Sequence, residues 1–206
     1  MSGSAGEVRI RRGRGRRPSA EVRQDILLAA GRLLLAEGMA GFTIERVAEL
    51  AGASKMTVYK WWPSKGALAL DGYFAAMEPA LAFPETGDIR ADVATQLRTF
   101  IAVLRDTPAG RVIAELIGQA QIDPDLAAAY RQRYSGPRRA LAVTALRRAQ
   151  ERGQLRAEVD PEIVVDQLWG ACYHRLLIPD QPLTDSFADA LIDNLFDSVR
   201  PAAGTD

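Results

Sequence analysis

The sequence has little of what usually carries chemistry. It holds one cysteine, Cys172, and one histidine, His174, in 206 residues. A single thiol excludes an internal disulfide and suits a reducing compartment. Without a His or Cys cluster there is no ligand set for zinc, so His174 reads as a packing or hydrogen-bonding residue. Cys172 reads as a small buried apolar residue, with a redox-sensing thiol as the alternative. No apolar run approaches the roughly 18 residues of a membrane span. The polar, arginine-rich start lacks the apolar stretch of a secretory signal. The expected location is the cytoplasm, with no membrane partner. P-loop, Ser-x-x-Lys and Gly-x-Ser-x-Gly patterns are missing, and Gly13 and Gly15 follow no strand. Neither an enzyme nor a cofactor is expected. Strand-like alternation and internal repeats are absent too, so the fold class is all-α.

What is present divides the chain by charge. Residues 1–65 carry 12 basic and 6 acidic side chains, whereas residues 66–206 carry 14 basic and 20 acidic ones. A basic head on an acidic body matches one part that meets nucleic acid and one that does not. The three lysines against twenty-three arginines are read as codon bias, without functional meaning.

The most informative stretch is FTIERVAELAGASKMTVYKWWPSK, residues 42–65. Ile44, Val47, Ala48 and Ala51 fall at i, i+3, i+4, i+7, one apolar stripe on a short helix. Thr43 caps its start and Gly52 takes the left-handed position at its end. Ser54 caps a second helix that turns Val58 and Trp62 inward. Met56, Thr57, Tyr59 and Lys60 then point outward, with Lys55 in the first turn. Two short helices joined by a Gly-containing turn make a helix-turn-helix. Its outer face mixes hydroxyls, an aromatic and cations, which can reach phosphates and base edges in a major groove. A helical hairpin without a partner is the bland alternative.

TIERVAELAG followed by SKMTVYKWWPSK resembles the DNA-binding signature of the TetR family of transcriptional regulators. The resemblance is strong over about residues 20–75 and extends beyond only as a size and helix pattern. It implies that Thr57 and Lys55 lie near base edges and that Tyr59 and Lys65 hold phosphates. It also places Thr43 and Glu45 close to the backbone or bases. Trp61 stands where Tyr or His is commoner; stacking on a sugar-phosphate edge and bracing the next helix both stay open. Trp62 replaces the usual Phe and is expected in the core.

Taken in order, residues 1–18 are expected to be a disordered basic arm. Six arginines lie between glycines there, and Arg14, Arg16 and Arg17 are candidates for the minor groove. A solubilising tail is the alternative. Ser19 is expected to cap a long helix that Gly38 stops, and residues 19–65 form the DNA-binding domain. Ser64 opens a fourth helix, through Leu68 and Tyr73 to Pro79, linking head to body. Residues 66–206 form a helical ligand-binding and dimerisation domain. Its helices are expected over residues 89–106, 111–121, a long run from Asp123-Pro124 to Gly153, residues 161–178, and a last one ending near Val199. Gly136-Pro137 is expected to kink or split the long run.

Two features of the body suggest sites. Phe187, Ala190, Leu191, Asn194, Leu195 and Ser198 recur at helical spacing, either as a homodimer stripe or as cover for the chain's own core. Phe100, Tyr130, Tyr134, Trp169 and Tyr173, with Leu104, Leu116 and Ile117, are read as lining an apolar pocket. Tyr hydroxyls, Gln119 or His174 would orient a ligand in it. The alternative is that these aromatics fill the core, and resemblance to ligand-responsive repressors favours the pocket. With few cations assigned there, the expected effector is a small apolar compound, neutral or cationic. The leading expectation is a sequence-specific repressor, a homodimer on double-stranded, pseudo-palindromic operator DNA, released by that small molecule. A constitutive or architectural DNA-binding protein without a ligand is the alternative.

Overall fold

The computed structural model describes residues 18–78 and 82–199, and among these every regular element is helical. Four helices come first: α1 (Ser19–Gly41), α2 (Ile44–Leu50), α3 (Lys55–Tyr59) and α4 (Lys65–Met77). The expected capping by Ser19 does not occur. Pro18 holds the cap position without a side-chain hydrogen bond, and Ser19 is already helical. Proline suits that position because the first amides of a helix lack internal partners. Gly38, with φ of 68°, interrupts α1, so the chain from there to Gly41 is a separate short turn. Pro79, the expected end of α4, lies outside the described residues.

One apolar core holds the head together. Ile26, Leu34, Phe42, Val47, Val58 and Trp62 are almost fully buried. Each such side chain stabilises by about 1.5–3 kcal/mol relative to leaving it in water. α1 crosses α4 very closely. A Cβ added to Gly31 would stand 2.7 Å from the Gly72 carbonyl oxygen, and one on Gly72 would stand 2.8 Å from Ala30 Cβ. The two glycines let the backbones of α1 and α4 meet.

The remaining helices are α5 (Ile89–Asp106), α6 (Ala109–Ala120), α7 (Pro124–Tyr130), α8 (Gly136–Glu151), α9 (Pro161–Leu177) and α10 (Asp185–Val199). Asp88 caps α5, accepting from the amides of Arg90 and Ala91 at 2.9 and 3.1 Å. α10 runs antiparallel along α5. Arg98 pairs with Asp189 at 2.6 Å, Arg105 with Asp185 at 2.8 Å, and Arg90 with Asp193. These pairs are largely exposed and fix register more than they stabilise. α6 begins two residues earlier than the sequence pattern places it.

Gly136-Pro137 does not break the helical run from Pro124 to Glu151. Residues Arg131–Ser135 instead form a π-helical turn, in which the Gly136 amide bonds to the Arg131 carbonyl, five residues back. Pro137 has no amide to donate, and its ring would press on the carbonyl four residues earlier. Widening the preceding turn accommodates that ring without leaving helical dihedrals. Such turns concentrate at functional sites.

Candidate nucleic-acid interface and an aromatic cavity

α2, its turn and α3 form the helix-turn-helix. Thr43 Oγ1 accepts from the Arg46 amide at 3.2 Å and Ser54 Oγ from the Thr57 amide at 3.1 Å. The end of α2 is closed by Gly52 at φ of 60°. Its amide donates to Glu49 O at 3.1 Å, and the next amide, Ala53, to Ala48 O at 2.9 Å. This pair of bonds satisfies carbonyls a helix end would leave open, and needs the left-handed conformation glycine adopts freely.

The side chains proposed from sequence for DNA contact stand mostly outside. Met56 is 84% exposed and Tyr59 52% exposed, with Lys55, Lys60 and Glu45 also exposed and Thr57 and Thr43 half-buried. Several are already engaged. Lys55 Nζ lies 2.6 Å from Glu45 Oε1, an exposed bridge that ties α3 to α2 and lowers the Glu45 carboxyl below its ordinary range. The Thr57 hydroxyl lies 2.8 Å from Ser54 Oγ. Lys65 Nζ donates to the Met39 carbonyl at 2.8 Å, so it closes the end of α1. Trp61 is half-buried, edge-on to Trp62 with centroids 5.9 Å apart, and Lys60 lies over its ring. Ser19 and Val22 of α1 border the same hollow as Met56, Thr57 and Trp61, which sequence spacing did not reveal. Arg14, Arg16 and Arg17 lie outside the described residues.

In the body, α5, the π turn, α8 and α9 enclose a cavity of about 380 Å³. Of the residues expected to line it, Phe100, Tyr134, Trp169 and Tyr173 do. The others do not. Leu104 and Leu116 are buried in the core, Ile117 packs against it, and Gln119 and His174 are exposed on helix surfaces. Tyr130 does not line the cavity, but its hydroxyl donates to that of the lining Tyr173 at 3.4 Å. Lining residues that the sequence reading missed include Gln96, Arg131, Ser135, Arg138, Arg139 and Asp166. Gln96 is buried and accepts from the Trp169 indole at 3.3 Å. Burial raises the Tyr134 phenol above its ordinary range and the Tyr173 phenol well above it, so both remain neutral. The expectation of a cavity poor in cations is therefore corrected: three arginines line it.

A short chain of contacts runs from this cavity to the helix-turn-helix. Tyr134 stacks on Phe74 of α4. Next to it in the π turn, Arg133 Nη1 reaches both carboxylate oxygens of Asp71 on α4, at 2.9 and 2.8 Å. Asp71 Oδ2 also accepts from the Trp62 indole at 2.8 Å. Trp62 is buried at the end of the α3 segment, with Arg23 of α1 over its ring. One carboxylate thus touches both the π turn that carries the cavity-lining Tyr134 and Trp62 of the helix-turn-helix segment.

Cys172 is fully buried and its thiol is pushed up to about 12 by burial, which fits a packing role. The stripe expected on α10 lies mostly outside: Ala190, Asn194 and Ser198 are exposed, Phe187 and Leu191 half-buried. Leu195 is the exception, only 6% exposed and part of the core. The face α10 turns inward is Ala188, Ile192, Leu195, Phe196 and Val199. Among the described residues no group of His, Cys, Asp and Glu is placed to hold a metal, and no helix is long and apolar enough to cross a membrane.

Fold and motif together define a helix-turn-helix transcriptional regulator with a helical body. Residues 26–71 match the family described as bacterial regulatory proteins, tetR family, and residues 83–195 match the tetracyclin repressor-like C-terminal domain. The chain belongs to the TetR family of DNA-binding transcriptional regulators, which are not enzymes. It is 36% identical over 193 residues to the HTH-type transcriptional regulator YdeS of Bacillus subtilis (strain 168), covering 94% of this chain and 97% of that one. It is 32% identical over 191 residues to the DNA-binding transcriptional repressor TetR of Mycobacteroides abscessus, covering 89% and 97%. The crystal structure of the TetR family transcription regulator SCO0332 superposes with a TM-score of 0.82 at 62% identity, over 88% of this chain and 100% of that one.

Proposed function

We propose that the chain is a repressor that binds a pseudo-palindromic operator as a homodimer and leaves it when a small molecule fills the cavity. Residues 19–65 would be the DNA-binding domain and residues 66–206 the ligand-binding and dimerisation domain, working in the cytoplasm. The M. abscessus relative's name supports the direction of control. One observation carries the reading: Asp71 joins Trp62 of the helix-turn-helix to Arg133, the π-turn neighbour of the cavity-lining Tyr134.

On DNA, Thr57 and Lys55 would meet base edges, Tyr59 and Lys60 phosphates, and Lys65 a phosphate with the donors it does not spend on Met39 O. Glu45 would release Lys55 when a base or phosphate competes. The arginines of residues 9–17 would add contacts in the minor groove. A single head covers only a few base pairs, so two related by a two-fold axis are needed to reach successive major grooves, about 34 Å apart. The outward faces of α9 and α10 supply an apolar surface for that pairing. Ile163 is 53%, Leu177 43% and Ile178 55% exposed on or beside α9, and on α10 Ala190 is exposed and Leu191 half-buried.

A ligand can shift the protein only by its difference in affinity for two states; a tenfold difference gives about 1.4 kcal/mol of coupling. Filling the cavity would move Tyr134 and Arg133, hence α4, and change the spacing of the two heads. The test is a thermal-shift screen followed by operator release in a gel assay. Compounds that raise the melting temperature and also release DNA support the reading. Compounds that stabilise the body and never loosen DNA favour a constitutive binder.

A further inference from the structure

The charge around the cavity is unevenly distributed. Arg131, Ser135, Arg138 and Ala142 all line it and fall at i, i+4, i+7, i+11 along one helical run, so they form a single wall. The facing wall, from α5 and α9, offers Phe100, Val165, Trp169 and Tyr173, with one acid, Asp166. That acid is already matched. Arg139 Nη1 lies 2.6 Å from Asp166, and the same guanidinium pairs with Glu162 and donates to the Glu162 carbonyl at 2.9 Å. Arg138 lies over the Tyr134 ring, 5.6 Å from its centroid. The Arg131 guanidinium makes no hydrogen bond or ion pair among the described residues.

Resting on the effector reading of this cavity, we propose that it selects a monoanionic amphipathic ligand, an apolar acid. The carboxylate would sit against Arg131, with the Ser135 hydroxyl beside it and Arg138 adding positive field. The apolar body would lie against Phe100, Trp169 and Tyr173. A carboxylate suits this wall because a guanidinium offers it two parallel donors, and charged hydrogen bonds of this kind are about twice as strong as neutral ones. An ammonium ligand would meet cations on the same wall, and the one carboxylate that could answer it is held by Arg139. A neutral ligand gains the aromatic contacts alone.

The test uses the full chain and three probes of one shape: 2-naphthoate, 2-naphthamide and (2-naphthyl)methylammonium, titrated calorimetrically at fixed salt. The expected order is naphthoate tightest by about tenfold or more over the amide, with the ammonium weakest. Arg131→Ala should remove most of that advantage and leave amide affinity unchanged, and Arg131→Lys should restore part of it. Equal binding of all three, a preference for the ammonium, or an Arg131→Ala variant that still prefers naphthoate overturns the assignment while leaving the cavity as an effector site. Failure of all three to bind contradicts the effector reading itself.

Discussion

The ring of Tyr134 lies flat on that of Phe74, with centroids 4.0 Å apart and planes 7° from parallel. Tyr134 lines the cavity and Phe74 belongs to α4, so the stack is a contact between cavity wall and connecting helix. Beside it, Arg133 grips Asp71 of the same helix. Arg133→Ala should leave operator affinity of the ligand-free protein within about threefold of the wild type, yet cut the release caused by a cavity-filling compound by about tenfold, the size of a coupling near 1.4 kcal/mol. Operator titrations with and without 2-naphthoate measure both. Undiminished release by the variant would remove Arg133 from the pathway.

Asp71→Ala is the harsher change. It leaves the buried Trp62 indole amine without its acceptor, which costs about 1–3 kcal/mol. The expected result is a lower melting temperature and weaker DNA binding together. An unchanged melting temperature would mean that water replaces the carboxylate at no cost.

Ser54→Ala should cost about 1 kcal/mol through the lost cap of α3. For a chain of this length that corresponds to a fall of about 2–4 °C in melting temperature. Thr57 also loses the hydroxyl partner that orients it, so base preference should broaden. Tyr59→Phe, by contrast, should weaken all sequences alike. Selection profiles for the two variants separate these effects, and identical profiles would contradict the division of roles.

Ala190→Arg should give folded monomers, because the residue is exposed on α10 and its inward neighbours stay untouched. Leu195→Arg should unfold the body, since it drives a charge into the core. Light scattering and circular dichroism read the two outcomes. An Ala190→Arg protein that remains dimeric would move the interface elsewhere.

Cys172 should resist alkylation in the native protein at pH 8 and react fully in urea. Burial keeps the thiol protonated, and the thiolate is the nucleophile. Rapid native labelling would reopen the redox-sensing alternative.

Local chemistry made the head legible from its sequence. Thr43, Ser54, Ser64 and Gly52 each have one structural use at their positions, and the bonds they make are those their side chains suggest. The helices of the body were legible too, because periodicity reports which face turns inward. Periodicity does not report whether that face meets another side chain or a void. Leu104 and Leu116 share helical faces with core residues and are core, whereas Arg131 and Arg138, polar by type, border the cavity. The π turn was hidden for a related reason: Pro137 signals a disturbed helix, and only the surroundings decide between a break and a widened turn. On α10, Leu195 fell in the outward stripe by spacing, but packing against the body claimed it.

Selection of duplexes from a random pool, followed by the mass of the bound complex, tests the central claim most directly. The account predicts an enriched site with two-fold related halves spaced by about one helical turn, bound by an even number of chains. It also predicts loss of enrichment for the Lys55→Ala, Thr57→Ala double variant. A pool that yields no enriched sequence, or a site without internal symmetry bound by a single chain, would contradict it.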